Sequence, residues 1–237
     1  MLTNQQFDLF RDSKDVVLTN DVIDALAKGD ANEARKRRTA LYFAYRDAVN
    51  LPQLDVLIQA LELKIPDAMS HEECARHRNW LHGEVEPVAF KVMGFKDGNE
   101  WMRGLWSKLA LAARQLPFNS NFPNDHAAAI FIQLGERQSC IDCVQRIESW
   151  RRKPIALSWM IRAKLELEAG IVGSLGMLAE LAWMSPQRFE WVAERAMRKM
   201  INLLGLERQG RHHELVEGRR ELKDFNNGLF KAYMQTR

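Results

Sequence analysis

The chain has 237 residues, 46% of them hydrophobic, with three cysteines, 13 glycines, seven prolines and 34 Lys and Arg against 31 Asp and Glu. A core of useful size can form at this length without disulfides, and three cysteines exclude a disulfide framework, so a reducing, cytoplasmic setting is expected. No apolar run approaches the roughly 18 residues of a membrane span, and the opening MLTNQQFDLFRDSKD lacks the basic and apolar regions of a secretory leader.

Abundant Ala, Leu, Glu, Arg and Met with few helix breakers predict a mainly α protein built of helical hairpins in two halves. In chain order, Asn20 is expected to cap a helix that breaks at Gly29-Asp30, and a second helix to run from there to the Leu51-Pro52 step. A third spans about Gln53 to Leu63, stopped by Ile65-Pro66. Ser70, with Glu73 three residues on, makes a capping box at the head of HEECARHRNWLHGE. Phe95 to Gly98 reads as a turn, after which Trp101, Leu105, Leu109 and Leu116 mark one face of a helix. The segment PFNSNFPND, 117–125, holds two prolines and three asparagines and predicts a loop or linker between a 1–116 interaction half and a 126–237 half. Helices are then expected in HAAAIFIQLG, SCIDCVQRIESW, IALSWMIRAKLELEAG, GSLGMLAELAW and from Ser185-Pro186 onward, with Arg152-Lys153-Pro154 separating the second from the third.

The two halves differ in charge. Residues 1–135 carry 16 Lys and Arg against 18 Asp and Glu, and residues 136–237 carry 18 against 13. The C-terminal excess suits either a polyanion-binding half or an ordinary solvated surface.

A faint repeat runs through the chain. IQLGERQSCIDCVQRI aligns with LEAGIVGSLGMLAELA at an offset of 35, pairing Gly135 with Gly170, and Gly29 with Ala34 has the same spacing. This resembles the tetratricopeptide pattern, in which a Gly ends one helix and a small residue five positions on lets the next pack closely. Cys140 and Leu175 stand where that small residue would be. The resemblance implies stacked hairpins offering a groove to a protein partner.

The 173–222 stretch carries a second reading. After Pro186, Phe189, Val192, Ala196, Met200 and Leu203 form a buried stripe, while Arg188, Trp191, Arg195, Arg198 and Lys199 share the other side. A helix in the major groove needs Arg, Gln or aromatic groups near its N-terminus for base edges and further cations for phosphates. Gln187, Arg188 and Trp191 are the base-facing candidates, and Ser185, Arg195 and Lys199 the phosphate-facing ones. Glu190 and Glu194 dilute that face, which is equally the solvated side of a packed helix.

The sequel Gly205-Leu206-Glu207-Arg208, Gly210-Arg211, His212 to Val216 and Gly218 to Leu222 resembles the winged helix-turn-helix domains of transcription regulators, although Trp183 stands where that pattern carries a Gly. The resemblance implies a small β-hairpin wing near 205–216 and places Arg208, Arg211 and His212 against DNA.

Two metal-type pairs occur, Cys74 with His77 and Cys140 with Cys143, a ligand set that suits a structural zinc or else buried thiols. His71, His77 and His82 accompany Glu73 and Glu84, and Arg35 to Arg38 run around a helix, both as solvated faces do. Arg146, Trp150, Arg151, Arg152, Lys153, Trp159 and Arg162 interleave cations with indoles, a mixture that suits nucleic acid or helix packing. Phosphate loops, nucleophile elbows and HExxH are absent from the sequence, so no enzyme is expected. The expectation is a non-enzymatic protein that binds DNA through its C-terminal segment, with a helical adaptor for a protein partner as the alternative.

Overall fold

The computed structural model describes residues 14–66, 68–167 and 172–194. The described residues are mainly helical and contain no strand. The chain divides into two compact units, 1–115 and 116–237.

Unit 1 begins with a three-helix antiparallel run. Helix α1 spans Lys14–Ala27, α2 Ala31–Ala44 and α3 Leu51–Glu62. Asn20 lies inside α1 and is no cap. The helix is already running there, and the Thr19 hydroxyl donates back to Asp15 O at 2.7 Å. The working cap is Asp30, whose carboxylate accepts from Glu33 N at 2.9 Å and starts α2. Pro52 likewise opens α3 instead of closing α2, because a first-turn residue needs no N–H donor. Val22, Leu26, Ala34, Leu41, Leu54, Leu57 and Ile58 are buried and supply the core of this run.

The basic run on α2 is consumed locally. Arg35 pairs with Glu62, Arg37 with Glu33 at 2.8 Å and Arg38 with Asp55 at 2.5 Å.

A long rod follows. Helix α4, His71–Trp80, starts at the Ser70 capping box, with Glu73 N donating to Ser70 Oγ at 3.2 Å and Ser70 N to Glu73 Oε2 at 2.8 Å. It passes through one π-helical stretch, Leu81–Val85, into α5, Glu86–Met93. The Glu86 N–H reaches back five residues to Leu81 O. Helix α6, Phe95–Ala113, folds back on α5 after Gly94, whose φ of 80° breaks the rod. Phe95 to Gly98 is thus the first turn of α6, and Gly94 is the break. Gly98 is there for packing: a Cβ on it would sit 2.9 Å from Ala89 O on α5. Leu105 and Leu109 are buried on the expected face, while Leu116 lies past the helix end, in unit 2.

Unit 2 is organised around one buried helix. Helix α7 spans Ala127–Leu134, α8 Arg137–Gln145, α9 Pro154–Leu165 and α10 Leu175–Met184, and residues 186–194 are again helical. Gly135, at φ 74°, makes the left-handed turn between α7 and α8. Every residue of α9 from Ala156 to Ala163 is buried, the polar Ser158 and Arg162 among them. It packs against α7, α8 and α10.

The 117–125 segment is a loop folded onto this unit. Phe118 meets the His126 ring at 5.9 Å and the Trp159 ring at 6.3 Å, both edge-on. His126 stacks on Trp159 at 5.7 Å with 5° between the planes, and its Nδ1 accepts from Ala128 N at 3.2 Å to cap α7.

Candidate functional site

The helix over 186–194 begins one residue after α10 ends. Ser185 alone joins them, and its carbonyl accepts from Phe189 N at 3.0 Å. A helix-turn-helix joint takes about three to four residues. Phe189, Val192 and Ala193 are buried, whereas Gln187, Arg188, Glu190 and Trp191 are exposed. The described part of this helix therefore has one buried and one open side. Trp191 is 52% exposed and holds the guanidinium of Arg162 at 4.6 Å from its ring centroid. Arg162 itself is buried on α9, so the stack ties this helix to the centre of unit 2. The remaining candidates, Arg195, Lys199, Arg208, Arg211 and His212, lie outside the described residues, as does the whole 205–216 wing.

The interleaved set of cations and indoles does not share one surface. Trp159 is a core residue stacked on His126, and Arg162 is buried below Trp191. Arg151 forms a two-pronged pair with Glu180 on α10, and Lys153 donates to Glu148 O. These groups are held in helix packing and loop closure.

The cysteine pairs fall in different units. Cys74, on α4, is buried in unit 1, and Cys140 and Cys143, on α8, are buried in unit 2. His77 sits on α4 three residues after Cys74. No group of three or more His, Cys, Asp or Glu gathers around one point among the described residues. Burial pushes the Cys140 thiol up to about 12. Its Sγ lies 4.0 Å from Trp159 O, a contact suited to a packed thiol.

Two features of unit 1 were not singled out by sequence reasoning. The first is the last turn of α2 and the loop after it, where Tyr42, Phe43, Tyr45 and Val49 are all exposed, Phe43 by 73% and Val49 by 81%. Tyr42 meets Phe43 edge-on at 6.0 Å and lies between the guanidinium groups of Arg38 and Arg46, at 5.5 and 5.9 Å. The second is an open trough of about 550 Å³ where α1, α3, α5 and α6 come together, with Ile23, Leu61, Met93, Trp101 and Leu105 among its apolar lining. Trp101 fixes one wall by donating its indole N–H to Leu26 O at 2.9 Å.

No helix among the described residues is long and apolar enough to cross a membrane. No protein family, curated protein or solved structure matches the chain.

Proposed function

We propose that this chain is a non-enzymatic helical scaffold that binds a partner protein. The observation that carries the reading is the exposed apolar stretch 42–49 at one end of the α1–α2–α3 run, because large apolar side chains left together on a surface mark sites of association. Support comes from the packing of successive helices on one another, α1 on α2 and α2 on α3 in unit 1, and α7 on α8 and α8 on α9 in unit 2. Hairpin arrays of this kind present side chains from several helices on one surface. A photo-crosslinking amino acid in place of Phe43 tests the reading in cells. A discrete protein adduct is expected, and the absence of any adduct overturns it.

A second reading, nucleic-acid binding by the C-terminal segment, is favoured by the open side of the 186–194 helix, where Gln187, Arg188 and Trp191 are exposed opposite the buried Phe189 and Val192. Under it, a labelled DNA duplex binds the full chain with an affinity that falls as salt rises and falls again in Arg188→Gln. Absence of binding at low salt removes this reading and leaves the first untouched.

A further inference from the structure

We infer that the unit 1 trough docks a basic amphipathic peptide segment of a partner protein, an inference that rests on the scaffold reading and gives one docking site its chemistry. The apolar lining suits a large aliphatic or aromatic side chain. Its charge is set by Asp24, Asp97 and Glu100, which outnumber Lys28 and Lys108. Neither Asp97 nor Glu100 enters an ion pair among the described residues. The C-terminal end of α1 adds to the negative potential, because the carbonyl end of a helix carries partial negative charge and Trp101 holds that end, through Leu26 O, beside the trough. A Lys or Arg next to an apolar residue satisfies both the wall and the rim.

Gly104 is the independent observation. It lies in the interior of α6 and lines the trough, and a Cβ there would meet nothing within 4 Å. The packing of unit 1 does not require this glycine, unlike Gly98 in the same helix, which is pressed against Ala89. A glycine weakens a helix interior. Close approach of an occupant to the α6 backbone is what a bare Cα at this place permits.

The test pans the immobilised full chain against a phage-displayed library of random peptides, then measures synthetic copies of enriched sequences by fluorescence anisotropy. Enriched peptides are expected to carry Lys or Arg beside Leu, Phe or Trp, and to bind Gly104→Leu and Glu100→Lys about tenfold more weakly, a loss of about 1.4 kcal/mol. Gly104→Leu fills the trough from a position with free space, and Glu100→Lys reverses an exposed charge without filling it. Circular dichroism separates lost binding from lost fold. Peptides that bind both variants as they bind the parent chain, acidic enriched peptides, or no enrichment each overturn the trough proposal. The scaffold reading is judged separately, by the adduct at Phe43.

Discussion

Replacing Gly98 by Ala and, separately, Gly104 by Ala makes the same chemical change twice in one helix, and opposite outcomes are expected. Each change gains about 0.8–1 kcal/mol of intrinsic helix propensity. At Gly104 the new methyl group meets nothing within 4 Å, so the whole gain should appear as stability. At Gly98 the added Cβ would stand 2.9 Å from Ala89 O, 3.0 Å from Ala89 C and 3.1 Å from Phe90 Cδ1. Two of these neighbours are backbone atoms, which cannot swing aside, so α5 and α6 must separate. Such overpacking costs about 1–3 kcal/mol. Gly98→Ala should therefore fall between neutral and about 2 kcal/mol destabilising once the propensity gain is set against that cost. The propensity contribution cancels between the two variants, so their difference isolates the steric cost. Urea unfolding of both full-length variants, followed by far-ultraviolet circular dichroism, gives that difference directly. Equal stabilities would refute the close approach of α5 and α6.

Two further outcomes follow from the charged and thiol groups. The Arg37 hydrogen bond, followed by the Lys36 charge, holds the Glu33 carboxyl below its usual range, and the Arg35 hydrogen bond does the same for Glu62. Such carboxylates stabilise the fold above the ordinary glutamate range, and the contribution is lost as pH falls through their lowered folded values. The thermal midpoint should thus decline on acidification, less steeply in Arg35→Gln and less steeply in high salt; a midpoint with the same acid dependence in Arg35→Gln would sink the assignment to that pair. For the thiols, iodoacetamide at neutral pH should leave Cys140 unmodified in the folded chain and label all three cysteines in denaturant. Rapid native labelling of Cys140 in the mass spectrum would contradict its burial.

What the sequence displayed best were features governed by a few neighbouring residues. The Ser70–Glu73 box is complete within four residues, and the Leu105–Leu109 stripe within one turn, so both were readable before any fold was known. Pro52 and the Phe95 to Gly98 stretch were misread because a proline and a glycine each have two uses. Pro can end a helix or open one, and Gly98 serves a neighbouring helix instead of a turn. The set that includes Trp159 and Arg162 was open between nucleic-acid binding and helix packing, because composition does not say which side chains face the core; α9 is buried all round from Ala156 to Ala163, against α7, α8 and α10. The trough was illegible because its lining comes from four helices spread over residues 23–108.

The π-helical stretch Leu81–Val85 acts as a phase-setter for the rod that contains it. One turn there closes over five residues instead of four, so every residue after it is rotated relative to an uninterrupted helix by about 100°. Because of that offset, α4 can address α6 while α5 addresses both α3 and α6. Removing Gly83 would return the turn to α-helical spacing and swing Ala89 away from the notch that Gly98 leaves for it. The fold of unit 1 therefore depends on a residue count as well as on residue identity. A one-residue deletion inside a continuous helix would uncouple α5 from α6 without touching a single side chain at their contact.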